Sequence, residues 1–194
     1  MSEGQSIIRK GVSKIVMENL ARKRIFVDQS RCLGCKTCEL RCAVERSSLS
    51  KSLPDAVQEQ ILPRPRVYVE WDGANSAPIQ CRHCEDALCL EICSTGAMQR
   101  DEKSGCVFVD SNKCISCWMC VMVCPYGLIA PASEKHSADK CDQCFQMSQP
   151  YCVAACPTGA LQEISIEDYA LQLKKKRQSG LTDVIKDYSI VETL

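Results

Sequence analysis

Several features that define common classes of protein are scarce or absent in this chain of 194 residues. Lys and Arg together number 24, as do Asp and Glu, so no excess positive charge attracts nucleic acid or an anionic membrane. No run approaches 18 consecutive apolar residues, so the sequence predicts no transmembrane helix, and the apolar block of a secretory signal is missing. These absences argue against a nucleic-acid-binding module and predict a cytoplasmic protein.

Aromatic side chains are also scarce, whereas cysteine is abundant. Phe, Tyr and Trp together make up 5% of the residues, which leaves little material for a conventional core. The 17 cysteines are far more than an ordinary chain of this length contains. A secreted disulfide scaffold is usually shorter and has an even number of cysteines, whereas a cytoplasmic chain rich in thiols more often binds metal. Metal binding is therefore the favoured hypothesis, with disulfides as the alternative.

Sixteen of the cysteines fall into four groups of four, which we number in chain order. Groups one and three share the spacing C-x2-C-x2-C-x3-C, and groups two and four are looser variants of it. The groups are Cys32, Cys35, Cys38 and Cys42; Cys81, Cys84, Cys89 and Cys93; Cys114, Cys117, Cys120 and Cys124; and Cys141, Cys144, Cys152 and Cys156.

This spacing is typical of iron-sulfur cluster ligands. Three thiolates of one tight loop can each reach a different iron of a cubane cluster, while the fourth, on the following helical turn, points to another cluster. Zinc is the alternative metal, but an all-cysteine zinc site consists of two separate C-x2-4-C pairs and needs no third cysteine in the same loop. Four complete groups therefore predict four 4Fe-4S clusters.

The chain also repeats internally around these groups. The segment "IFVDQSRCLGC" at 25–35 matches "VFVDSNKCISC" at 107–117, which predicts a short strand before each of these two cysteine loops. The segments "STGAM", "PYGLI" and "PTGAL" follow the last cysteines of groups two, three and four, and predict a turn and then a short strand. The repeated unit is a strand, a cysteine loop, a helical turn and a second strand.

These residues resemble a known family, the ferredoxin-like four-cluster electron-transfer subunits of anaerobic oxidoreductases. The segments "CLGCKTCELRCAVERS", "PRPRVYVE", "QCRHCEDALC" and "CVMVCPYG" are most similar to the iron-sulfur subunits associated with carbon monoxide dehydrogenase, aldehyde oxidoreductase, formate dehydrogenase and hydrogenase. The resemblance covers about residues 25–165. It implies an α+β fold of two pseudo-symmetric dicluster modules of the bacterial-ferredoxin type, with long insertions and terminal helices.

The resemblance also implies how the groups share ligands. Groups one and four form one module and groups two and three the other, and each cluster takes its fourth ligand from the paired group. The implied sets are Cys32, Cys35 and Cys38 with Cys156; Cys141, Cys144 and Cys152 with Cys42; Cys81, Cys84 and Cys89 with Cys124; and Cys114, Cys117 and Cys120 with Cys93.

The pairing divides the chain into regions. These are module one at 25–50 and 133–165, an insertion arm at 51–80, module two at 81–132, an N-terminal helix within 1–24, and a C-terminal helix and tail at 166–194. Apolar residues recur at helical spacing between positions 6 and 20, so that helix either caps its own domain or docks against a partner. Ser165 is a suitable N-cap for the C-terminal helix, and Gly180 predicts its end.

No catalytic motif is present, and three residues outside the predicted ligand sets are considered separately. The sequence lacks nucleotide-binding, zinc-protease and radical-enzyme motifs, so no residue is predicted to be catalytic. His83 either tunes a neighbouring cluster or is a surface or packing residue, and His136 is predicted to face solvent. Cys106, which belongs to no group, is predicted to be a buried hydrophobic residue.

The resemblance implies a non-catalytic subunit that relays single electrons. Its partners would be a large catalytic oxidoreductase subunit of the molybdenum, tungsten or nickel-iron type and a second redox subunit or ferredoxin. The alternative is a freely diffusing polyferredoxin. A third hypothesis, compatible with the first, is self-association through the terminal helices into oligomers or filaments.

Overall fold

This computed structural model describes residues 22–132 and 136–189 of the chain. They contain two-stranded sheets, several short helices and one longer helix near the C-terminal end. The strands are β1 (Lys23–Val27), β2 (Val67–Trp71), β3 (Ser76–Gln80), β4 (Met98–Arg100), β5 (Val107–Val109), β6 (Ile129–Pro131), β7 (Ala138–Lys140) and β8 (Leu161–Ser165). The helices are α1 (Thr37–Val44), α2 (Leu53–Ala56), α3 (Leu88–Glu91), α4 (Met119–Val123), α5 (Tyr151–Ala154) and α6 (Ile166–Ser189), and a 3-10 turn spans Gln29–Arg31.

The strands pair two by two. The sheets are β1 with β8, β2 with β3, β4 with β5, and β6 with β7, and the last three are antiparallel. The strands predicted before groups one and three are β1 and β5, and the strands predicted after groups two, three and four are β4, β6 and β8. The segment "PRPRVYVE" contains most of β2, which forms a hairpin with β3.

The chain divides into two units, Ile25–Glu163 and the two ends that flank it. In the first unit the buried apolar residues form two small cores. One contains Val67, Val69 and Leu161 together with cysteines of groups one and four. The other contains Met98, Val107 and Ile129 together with cysteines of groups two and three. The fold is thus a mixture of short helices and small sheets in which cysteines occupy much of the interior.

Helix α6 belongs to the second unit and begins where the sequence predicts. The N–H of Asp168 donates to Ser165 Oγ at 3.1 Å, and this hydroxyl donates to the Asp168 carboxylate at 2.8 Å. The predicted end at Gly180 is wrong, because the helix continues to Ser189. A glycine inside a helix costs only about 1 kcal/mol relative to alanine, which the helical residues on both sides of it can offset. The predicted N-terminal helix lies outside the described residues, and no described helix is both long and apolar enough to cross a membrane.

The cysteine loops turn sharply because selected residues adopt left-handed backbone conformations. In all four groups the residue just before the second cysteine has a positive φ: Gly34, His83, Ser116 and Gln143. Lys36 and Trp118, just after the second cysteines of groups one and three, share this conformation. Such a conformation costs a non-glycine residue on the order of 1 kcal/mol or more. The repeated conformation therefore belongs to the cysteine loops themselves and not to glycine alone.

Two glycines with similar φ values allow the stability cost of backbone strain to be separated from the cost of crowding by neighbouring atoms. Gly34 has a φ of +64° and Gly127 a φ of +61°. A Cβ on Gly34 would lie 3.1 Å from Ser76 Oγ, whereas a Cβ on Gly127 would meet no atom within 4 Å. Both Gly→Ala variants are expected to lose about 1 kcal/mol from the backbone, and Gly34→Ala at least about 1 kcal/mol more from crowding.

Thermal unfolding of the holoprotein under anaerobic conditions measures the difference. We expect Gly127→Ala to lower the midpoint by about 2–4 °C and Gly34→Ala by at least twice as much. Equal midpoints for the two variants would show that Ser76 does not restrict this loop.

Candidate cluster-binding sites

Two pairs of helices bring the cysteine groups together. Helix α1 carries Cys38 and Cys42 one turn apart, and it packs against α5, which carries Cys152 and is followed by Cys156. In the same way α3, with Cys89, packs against α4, with Cys120. The last cysteine of each group therefore lies next to the paired group.

Four sets of cysteines result, which we call sites A to D. Site A contains Cys35, Cys38 and Cys156, to which we assign Cys32 from the loop that carries Cys35; site B contains Cys42, Cys141, Cys144 and Cys152; site C contains Cys81, Cys84, Cys89 and Cys124; and site D contains Cys93, Cys114, Cys117 and Cys120. The cysteines of sites B, C and D line three separate cavities. In site A, negative charge on Cys156 disfavours ionisation of both Cys35 and Cys38, which indicates that the three thiols lie close together. These are the same sets that the family resemblance implies as ligands.

The cysteines of sites B, C and D are spread around the walls of their cavities. Within the described ranges, no three His, Cys, Asp or Glu side chains are close enough to hold a single metal ion. A cubane cluster binds its four thiolates at separate irons and so needs them spread around its edge. The sets fit such a group.

Main-chain N–H groups point at many of the sulfurs. The donors to Cys42, Cys81, Cys93, Cys114 and Cys141 are the N–H groups of Arg66, His83, Met98, Ala138 and Gln143, at 3.2–3.5 Å. The hydroxyls of Thr37 and Ser76 donate to Cys35 and Cys32, at 3.3 and 3.4 Å. Such bonds stabilise negative charge on sulfur and influence the reduction potential of a bound cluster.

Burial opposes ionisation of several of these thiols. It raises the pKa of Cys38 to about 11 and of Cys152 to about 12, and it raises the pKa of Cys141 well above its usual value. For Cys93 and Cys156 burial acts in the same direction, but hydrogen bonds, first those from the N–H groups of Met98 and Leu161, lower the pKa. Buried thiolates need a cationic partner such as iron, so the donor set fits metal binding.

The segment predicted as an insertion arm takes part in two of the sites. Ser76 contacts Cys32 in site A, and the Arg66 N–H contacts Cys42 in site B. The Arg66 guanidinium also pairs with Asp139 and Asp142 at 2.6 Å each, and Asp139 pairs with Arg46 at 2.8 Å. These charges hold residues 63–67 against the loop that carries Cys141 and Cys144. No sequence pattern predicts these contacts, because the partners lie far apart in the chain.

The structure also places the remaining candidate residues. His83 is buried, and its Nδ1 accepts a hydrogen bond from the Val107 N–H at 2.9 Å. It therefore packs inside the protein, and its own main-chain N–H also contacts a sulfur of site C. Cys106 is 1% exposed, with its sulfur 3.4 Å from Gln143 Oε1, so the prediction of a buried residue is confirmed. His136 is exposed, as predicted. Sequence reasoning missed Lys140, a buried lysine beside Cys141.

Comparison with known proteins identifies the class and then the family. Residues 74–165 match the model of the 4Fe-4S dicluster domain. The electron transport protein HydN of Escherichia coli is 38% identical over 177 residues, which cover 81% of this chain and 97% of that protein. The probable anaerobic dimethyl sulfoxide reductase chain YnfG of Escherichia coli is 38% identical over 159 residues, covering 74% of this chain and 73% of that one. An iron-sulfur protein of Rhodospirillum rubrum is 34% identical over 169 residues, covering 79% and 87%.

These matches define an iron-sulfur protein with a ferredoxin-like dicluster domain. The chain belongs to the family of iron-sulfur electron-transport proteins that includes HydN and subunits of anaerobic oxidoreductases.

Proposed function

We propose that this chain is a non-catalytic electron-transfer subunit that binds four 4Fe-4S clusters, one at each of sites A to D. Each cluster, when bound, takes up and releases a single electron. The observation that carries the proposal is that single helices serve two sites: α1 holds Cys38 of site A and Cys42 of site B. In the same way α4 holds Cys120 of site D and is followed directly by Cys124 of site C. Neighbouring sites are therefore fixed rigidly to one another.

The shared elements suggest the order A, B, C, D. Sites A and B share α1 and α5, sites C and D share α3 and α4, and Lys140 lies between sites B and C. The two exposed cysteines of the chain, Cys35 and Cys117, belong to sites A and D. This exposure fits sites A and D as the two ends of the row, where a redox partner can approach.

We further propose that the two halves are pseudo-symmetric modules with an insertion between them. The repeated left-handed residues in the loops of groups one and three, and the repeated pairing of a helix with a helix, support this division. Module one would then comprise 25–50 and 133–165, and module two 81–132, with 51–80 as the insertion.

The proposed partner is a larger catalytic oxidoreductase subunit of the molybdenum, tungsten or nickel-iron type, together with a second redox protein. The support is that YnfG is named as a chain of a dimethyl sulfoxide reductase. The name of HydN mentions only electron transport, which keeps a free polyferredoxin as the alternative. The proposed compartment is the cytoplasm, where sixteen ligand thiols stay reduced. Assembly through the terminal helices remains a separate proposal.

Anaerobic purification from the native source, followed by metal analysis, tests the proposal. The chain is expected to co-elute with a larger subunit that contains molybdenum, tungsten or nickel, and to carry about sixteen irons and sixteen labile sulfides. Eight irons or fewer per chain would reject the four-cluster assignment. Recovery of a fully loaded chain without a partner would reject the subunit role in favour of the free carrier.

A further inference from the structure

A buried lysine lies between two of the cysteine sites. Lys140 is the last residue of β7 and directly precedes Cys141, and it is only 3% exposed. Residues two apart in a strand share a face, so Lys140 points inward with Ala138, while Asp139 points to Arg46 and Arg66. The pairing of β7 in the fold thus forces an ammonium group into the interior.

The hydrogen-bond acceptors of this ammonium are neutral. Its Nζ donates to the carbonyl oxygens of Val107 and Cys141, the latter at 2.8 Å. Among the described residues Lys140 makes no ion pair, whereas the partly buried guanidinium of Arg66 has two aspartates. Burial of a charge without an opposite charge nearby is strongly unfavourable. An anionic group within reach would stabilise the charged form of this lysine.

The cysteine sites on either side supply that negative charge. Lys140 lines the cavity of site B with Cys141 and the cavity of site C with Cys89. Burial raises the pKa of Cys89, and the positive charge of Lys140 opposes that rise, which is consistent with their proximity. A 4Fe-4S cluster with four thiolate ligands carries net negative charge and gains one more on reduction.

We propose that Lys140 is a shared counter-ion for the clusters of sites B and C and raises the reduction potential of both. The inference rests on the proposed function, because it requires clusters at those two sites. Reduction adds one electron and neither forms nor breaks a bond, so a fixed positive charge favours the reduced state electrostatically. Lys140 is a positioning residue that makes two neighbouring sites easier to reduce and so favours transfer between the two modules.

A structural role is the competing explanation, since Nζ also joins the carbonyls of Val107 and Cys141. Three substitutions separate the two roles. Lys140→Met removes the charge and the donors, Lys140→Gln removes the charge and keeps a donor, and Lys140→Arg keeps both. Lys113→Met is the matched control, because Lys113 also directly precedes the first cysteine of a group but its side chain is 54% exposed.

The measurement is a redox titration of the holoprotein followed by electron paramagnetic resonance, with iron counted in every sample. We expect Lys140→Met and Lys140→Gln to shift two of the four midpoint potentials to more negative values. The expected change is at least tenfold in the reduction equilibrium constant, which is 59 mV for one electron. Lys140→Arg and Lys113→Met should leave all four potentials close to those of the natural protein.

The possible outcomes distinguish this inference from the proposed function. Unshifted potentials in fully loaded Lys140→Met and Lys140→Gln would overturn the counter-ion role and leave the four-cluster assignment intact. A natural protein that lacks clusters at sites B and C would overturn the proposed function itself. If the uncharged variants lose iron, Lys140→Arg decides: retention of iron in that variant supports the role of charge, and loss of iron there shows a structural role.

Discussion

Chelation of iron from the holoprotein is expected to unfold most of residues 25–163. The elements of this unit are too short to be stable alone: apart from α1, its helices have four or five residues and its sheets two strands. Its two cores are also small, and cysteines occupy positions in both of them. Without iron, the buried thiols lose the cation that joins loops far apart in the sequence.

Little apolar material is available to replace the metal. Among the described residues the largest fully buried side chains are Leu161, Val67, Val107, Pro150 and Cys106, and none of these is aromatic. Burial of an aliphatic side chain contributes about 1.5–3 kcal/mol, whereas the conformational entropy of each ordered residue costs about 1–2 kcal/mol. Metal binding to a structural site can contribute about 10 kcal/mol or more to folding.

Limited proteolysis with mass mapping measures this loss of structure within 25–163. Cleavage sites are expected to spread through this unit after chelation, with a parallel decrease in far-ultraviolet circular dichroism, and reconstitution with iron and sulfide should reverse both. The helix α6 lies outside the unit and serves as an internal reference. An iron-free chain that keeps the native digestion pattern would contradict the expectation.

The local structure around the cysteines could be predicted from the sequence because it depends on neighbouring residues. The strands before groups one and three follow from the repeated "FVD" segments, and the strands after the other groups follow from their Pro, Gly and apolar residues. The β2–β3 hairpin also has a local signal, which is the pair Asp72 and Gly73 between two apolar runs.

Features that depend on distant parts of the chain could not be predicted. Lys113 and Lys140 occupy the same place in their repeats, one residue before a group, yet one is exposed and the other is buried. The difference arises because β7 lies against β5, where the Val107 carbonyl receives Nζ. The contacts of Arg66 and Ser76 with the cysteines likewise depend on a fold that brings residues 63–80 back to groups one and four.

The proposed crossed sharing of ligands predicts an unusual pattern of iron content in variants with two cysteines replaced. Cys42→Ala combined with Cys144→Ala removes ligands from two groups but from one site, site B, so about twelve of sixteen irons should remain. Cys38→Ala combined with Cys42→Ala removes ligands from one group but from two sites, A and B, so about eight should remain. If each group bound its own cluster, the order of the two variants would be reversed.

The same comparison in the other half uses Cys93. Cys93→Ala combined with Cys117→Ala affects site D alone. Cys93→Ala combined with Cys89→Ala affects sites C and D. Cys106→Ala is the control for loss of a thiol that belongs to no site and should keep all the iron. The order of iron content between the two double variants of each half is more informative than the absolute number of irons, because loss of one cluster can weaken its neighbour on the shared helices. Greater iron content in the same-group variants would contradict crossed ligation, since only separate clusters within groups one to four would give that order.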